Sequence, residues 1–103
     1  MSQYTNNYSW LVAKYSKVME NHQELGKSLR DAGPISEKNT HLIQLAGAAA
    51  TKAEGAVHSH SRRALEAGAS QEEIYHAIIL LTSTIGFPAV AAALSWARDT
   101  VED

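Results

Sequence analysis

Apolar residues recur along this chain at intervals of three and four, and strand-type alternation is absent. Leu11, Tyr15, Val18, His22, Leu25 and Leu29 keep that rhythm, which sets them on one face of a helix with about 3.6 residues per turn. The pattern predicts a first long helix from about Tyr8 to Arg30, with His22 inside its apolar stripe. Such a stripe buries against the rest of the domain or against another subunit. Asp31-Ala32-Gly33-Pro34 ends the helix, because glycine permits the exit conformation and proline cannot continue the ladder.

Ser36 is placed to cap a second helix, from Glu37 to about Thr51. Its apolar positions are Leu42, Ile43, Leu45, Ala46, Ala49 and Ala50. The run 46–50 has almost no side-chain bulk, so another backbone can approach it closely. A third helix is predicted from about Ala53 to Ala67, stopped by Gly68. Ser70-Gln71-Glu72-Glu73 has the spacing of a capping box and opens a fourth helix. That helix continues through Ile74 and Ala77 to Leu81 and is apolar nearly all round at its end, which predicts the central, most buried helix. Gly86-Phe87-Pro88 breaks the pattern, with Pro88 suited to the first turn of a fifth helix. Val90, Leu94, Ala97 and Val101 form the inner stripe of that helix. Trp96 lies off the stripe, at a position that suits either a subunit contact or a partly buried surface.

At 103 residues the chain has room for one modest core. The expected organisation is a single domain over 1–103, with an N-terminal helix at about 8–30 and a core at about 34–101. A formal charge of −2 gives no footprint for nucleic acid or an anionic membrane. Arg62-Arg63, the only adjacent basic pair, reads as a solvated helix face. There is no cysteine, which removes disulfides, thiol catalysis and cysteine-based zinc sites from this chain. Met1-Ser2-Gln3-Tyr4-Thr5-Asn6-Asn7 is polar, and no apolar run approaches the roughly 20 residues needed to span a bilayer. The expectation is a cytoplasmic protein with no nucleic-acid or membrane partner.

The third helix carries the residues most suggestive of chemistry. Ala53, Ala56, Val57, His60 and Ala64 share one face, so His60 sits among small neighbours that leave space. His58, two residues away, points to a different side, and a His-x-His pair on a helix chelates metal poorly. On the second helix His41 shares a face with Lys38, Leu45 and Ala48. His41 and His60 meet if those helices pack antiparallel about the Thr51-Lys52 turn. His76 follows Glu72 and Glu73 by four and three residues, the spacing of a surface pair. His22 reads as an interface or core histidine.

Four segments together resemble the carboxymuconolactone decarboxylase family, which includes the alkylhydroperoxidase D-like proteins. They are Thr40-His41-Leu42-Ile43, then Ala53-Glu54-Gly55-Ala56-Val57-His58-Ser59-His60, then Arg63-Ala64-Leu65-Glu66-Ala67-Gly68-Ala69-Ser70-Gln71-Glu72-Glu73-Ile74, then Ile85-Gly86-Phe87-Pro88-Ala89. The similarity spans about Pro34 to Val101. It implies an all-α domain of about five helices that builds a homo-oligomer, commonly a trimer or a hexamer.

In the peroxidase branch of that family a Cys-x-x-Cys pair opens this helix. A histidine follows the second cysteine by four residues, and a glutamate precedes the first by twelve. The corresponding residues here are Ala53, Ala56, His60 and His41. Only His60 matches. Glu54 matches a glutamate that many members carry after the first cysteine. A peroxidatic step needs a thiolate, and a disulfide relay needs two thiols, so thiol peroxidase activity is excluded for this chain. The decarboxylase branch does not depend on that pair.

Three readings follow. The first is a non-redox helical homotrimer or homohexamer that binds a small molecule or acts as a scaffold. The second is a decarboxylase-type lyase in which His60 and His41 act as acid and base on a carbanion or enolate. The third is a histidine-based metal site drawing on His41, His60 and His58. In each, Ala53, Glu54, Ala56 and His58 line the site. No cofactor is assigned.

Overall fold

The computed structural model describes residues 3–102. Met1 and Ser2, part of the polar N-terminal stretch, and Asp103 lie outside the described residues. Seven helical segments are present among the described residues: α1 (Gln3–Lys14), α2 (Ser16–Asp31), α3 (Glu37–Ala50), α4 (Glu54–Glu66), α5 (Gln71–Ile79), α6 (Thr82–Ile85) and α7 (Phe87–Val101). The all-α expectation holds. The helix count differs from five because the first and fourth expected helices are each divided.

The chain divides into two compact units, residues 1–35 and 36–103. In the first unit the expected single helix breaks at Tyr15, whose φ of −126° and ψ of 54° leave the helical region. Neither glycine nor proline causes the break. The side-chain amide of Gln23 donates to the Tyr8 hydroxyl at 2.6 Å, although a straight helix would hold residues fifteen apart about 22 Å from each other. Trp10 and Tyr15 meet edge to face at 6.1 Å. The stripe Val18, Leu25 and Leu29 is exposed, and α2 has no buried residue.

In the second unit the local signals act as the sequence predicts. The Ser36 hydroxyl accepts the Asn39 amide at 3.2 Å. The capping box at α5 is complete: the Glu73 amide donates to Ser70 Oγ at 3.0 Å and the Ser70 amide donates to Glu73 Oε1 at 2.9 Å. Two turns of the same kind close α3 and α4. After α3 the Ala53 amide reaches the Ala48 carbonyl at 2.9 Å and the Lys52 amide reaches Ala49 at 3.1 Å. After α4 the Ala69 amide reaches Ala64 at 2.9 Å and the Gly68 amide reaches Leu65 at 3.0 Å. Both are Schellman turns, which need a left-handed residue just past the helix. Gly68 supplies it at φ 100°, but after α3 the position is held by Lys52 at φ 58°.

The core is built from Leu45, Ala48 and Ala49 of α3, Val57 and Ala64 of α4, Ile74 and Ile78 of α5, and Val90, Ala93 and Ala97 of α7. α3, α4 and α7 all pack on one another and on α5, and each buries more residues than α5 does. This corrects the expectation that the fourth helix is the most buried. α5 buries Ile74 and Ile78 but leaves Ile79 exposed, and Leu80 just beyond it is 62% exposed. That helix also ends early. The Thr82 hydroxyl donates to the Ile79 carbonyl at 2.7 Å, a side-chain bond that competes with the helical ladder, and α6 restarts as one turn. Trp96 is half-buried against the core.

Two stability changes follow. Lys52→Gly relieves a left-handed non-glycine residue, partly offset by added freedom in the unfolded chain, and should raise stability by about 0.5–1 kcal/mol in urea denaturation; an unchanged or lowered midpoint counts against the strain at Lys52. The Glu73 carboxyl is held below its ordinary value of 4.5, first by the Ser70 amide and then by Lys38. Its contribution is therefore complete above the ordinary glutamate range and is lost as pH falls through the lowered value. Glu73→Gln should be less stable than the parent near neutrality, and thermal melts of the two should converge as pH falls below that range.

Candidate functional site

His41 lies on the face of α3 that also carries Leu45 and Ala48, and all three are buried. His60 is half-buried on α4. The Schellman turn through Lys52 returns the chain so that α3 and α4 pack along their length, and the two imidazoles meet. Their ring centroids are 5.8 Å apart, with planes inclined at 36°. His41 is 3% exposed, so one ring of the pair lies inside the protein and the other reaches its edge.

Small residues open the helix that carries His60. Ala53 and Ala56, the positions that the resemblance gives to thiols, are half-buried and pack against the core. Ala53 is also the N-cap of α4, with no side-chain hydrogen bond there. The motif helix therefore starts from backbone turn geometry rather than from a capping side chain.

His58 turns to a different neighbour. Its Nδ1 lies 2.8 Å from Thr100 Oγ1 on α7, and its Nε2 lies 3.7 Å from Glu54 Oε2 one turn earlier on α4. The ring lies between a hydroxyl on α7 and a carboxylate of its own helix. His58 thus ties the start of α4 to the end of α7. His60 faces α3 instead. Among the described residues, no group of three or more histidines, aspartates or glutamates is placed to hold a metal ion.

Arg62 is exposed and pairs with Glu66 at 3.9 Å, the solvated face expected of it. Around α5, Lys38 of α3 donates to Glu73 Oε2 at 2.9 Å. The same carboxylate therefore caps α5 and anchors the start of α3. His76 lines an open cleft of about 540 Å³ with Glu72, Glu73, Tyr75, Ile79 and Leu94. At the far end of α7, the Tyr75 hydroxyl donates to Glu102 at 2.9 Å, and Arg98 holds the same carboxylate at 3.1 Å. Arg98 and then Tyr75 keep Glu102 below the ordinary glutamate range, while burial and then Glu102 push the Tyr75 hydroxyl up.

Thr100, Lys38 and the cleft have no motif in the sequence. Thr100 is forty-two residues from His58, and only the packing of α4 on α7 joins them. Among the described residues, no helix is long and apolar enough to cross a membrane.

A model of the carboxymuconolactone decarboxylase family matches residues 16–99. The match begins before Pro34 and takes in α2 as well as the second unit. No curated protein and no solved structure matches the chain.

The Thr100 contact has a measurable weight. Thr100→Val keeps the shape of the side chain and removes the hydroxyl that His58 uses. It should lower stability by about 1–2 kcal/mol in urea denaturation; an unchanged midpoint would remove His58 from the α4–α7 tie.

Proposed function

The chain belongs to the carboxymuconolactone decarboxylase family, and on that premise we propose that it is a non-redox, homo-oligomeric member that binds a small oxygen-bearing molecule at the His41–His60 pair. The observation that carries this reading is the ring contact at 5.8 Å between a buried and a half-buried imidazole. The pair stands where the peroxidase branch of the family has its glutamate and histidine. The thiols of that branch are absent, so the acid–base half of such a site is kept without its redox half.

A neutral imidazole donates from one ring nitrogen and accepts at the other. Two of them side by side offer complementary contacts to a hydroxyl, carbonyl or carboxylate. Burial beside the core strengthens such contacts by lowering the local dielectric. The homo-oligomer draws support from the exposed apolar side chains of the second unit, Ile43, Ile79, Leu80 and Phe87, since large apolar surface on a single chain marks an interaction face.

A decarboxylase-type lyase is the second reading, and the same adjacency favours it. Two imidazoles in contact can hold a proton on one ring and deliver it from the other to a carbanion or enolate.

Ring-proton NMR of the intact chain, titrated with small lactones and β-keto acids, tests both. The expected result is saturable movement of the His41 and His60 signals with at least one class, and binding weakened roughly tenfold or more in His60→Ala and His41→Ala, the loss of a hydrogen bond to a polar ligand. No movement at millimolar ligand, or movement that survives both substitutions, overturns the reading. Release of carbon dioxide from a β-keto acid by the parent chain, lost in His60→Ala, assigns the lyase.

A further inference from the structure

The cleft beside α5 holds a carboxylate whose charge the second unit does not answer. Its volume of about 540 Å³ falls within the range of small-molecule sites, about 300–1,000 Å³. Two of its lining residues are glutamates, Glu72 and Glu73. Glu73 is committed, because its oxygens accept the Ser70 amide and the Lys38 ammonium, each at 2.9 Å. Glu102, which accepts the Tyr75 hydroxyl, is matched by Arg98 at 3.1 Å. Glu72 and His76 are exposed, and among the described residues neither enters a hydrogen bond or an ion pair. Glu72 stands in the first turn of α5, where the positive end of a helix keeps a carboxylate ionised. Burial and then Glu102 push the Tyr75 hydroxyl up, and the charge of Glu72 adds to the shift in the same direction. The field inside the cleft is therefore negative.

The order of side chains along the cleft gives it a class of ligand. Glu72, His76 and Ile79 stand four and three residues apart on one face of α5. Carboxylate, imidazole and apolar side chain thus follow one another over about 10 Å of helix. Tyr75 and, from α7, Leu94 add half-buried apolar walls. We propose that this cleft binds a primary ammonium ion carried on an apolar arm, the ammonium at Glu72 and His76 and the arm along Tyr75, Ile79 and Leu94. An ammonium has three donors; the Glu72 carboxylate accepts one, and a neutral His76 ring accepts another. A ligand carboxylate in the same place meets repulsion.

This site goes beyond the one read at His41 and His60 and does not rest on it, since neither histidine lines the cleft. A second copy is the competing occupant, because Ile79, 45% exposed, is among the apolar side chains that support the homo-oligomer. Two clefts face to face would set one Glu72 against the other, a like-charge contact that disfavours such pairing.

The probe is phenylbutylamine, with phenylbutyrate as its anionic match and phenylbutanol as its neutral one, followed by ring-proton NMR of the intact chain. The amine should move the His76 signals saturably, and the acid should not. Glu72→Gln keeps the shape of the side chain and removes its charge. It should weaken the amine roughly three- to tenfold and leave the alcohol unchanged. Ile79→Ser should weaken amine and alcohol alike; both substitutions fall at exposed positions, so the fold should stand. Equal movement by the acid, or amine binding undiminished in Glu72→Gln, overturns the proposal. Amine binding lost in His60→Ala but kept in Glu72→Gln overturns it as well, and places the ammonium at the imidazole pair. No movement of His76 at millimolar amine also overturns it, and an Ile79→Ser chain that sediments lighter than the parent then gives the cleft to a second copy.

Discussion

The close packing of α3 on α4 is the constraint on which the rest of the second unit depends. It combines the larger buried side chains Leu45 and Val57 with several alanines. Ala48 and Ala49 of α3 and Ala64 of α4 are buried, as are Ala93 and Ala97 on α7. Alanine orders no side-chain rotor on burial and lets helix axes approach at the short end of the usual range of about 8–10 Å. A leucine-rich seam would hold the backbones further apart and fill the space between them. With alanines, two rings on facing helices come to 5.8 Å while the core beneath them stays closed. The turn at Lys52 completes the arrangement, since the left-handed residue sends α4 back along α3.

What was legible in the sequence was what short-range chemistry decides. Ser36, the Ser70–Glu73 box, the stop at Gly68 and Pro88 at the first turn of α7 each act within a few residues, and each is seen in the fold. The breaks at Tyr15 and after Ile79 were not legible. No glycine or proline marks them, and the first is accompanied by a hydrogen bond between residues fifteen apart. At the site, the separation of His58 from His60 followed from helical geometry, and the meeting of His60 with His41 was conditional on packing. Thr100, which gives His58 its orientation, was beyond reach because nothing local connects residues 58 and 100.

The fourth expected helix shows why a pattern can be read correctly and placed wrongly. A helix apolar all round must be covered all round, and from the sequence that points to the centre of the domain. The chain's own fold covers only the side carrying Ile74 and Ile78, leaving Ile79 and Leu80 in solvent. The interior is shared by α3, α4 and α7, and α4, which is less apolar, buries Val57, Ser61 and Ala64 there. Hydropathy reports how much surface a helix needs hidden. Side-chain size decides how closely neighbours can approach it.

The two histidines of the motif helix carry this argument to the site. Residues two apart on an α-helix point about 200° from each other, so His58 and His60 cannot serve one centre. His58 is fixed between Glu54 and Thr100 and joins α4 to α7. His60 faces α3 and contacts His41. Ala53 and Ala56 take no part in either arrangement, because neither side chain caps α4 or enters either contact. The start of the helix, its packing and its histidines therefore need no side chain larger than alanine at these two positions. What the helix holds in place is two imidazoles, one turned to α7 and one to α3.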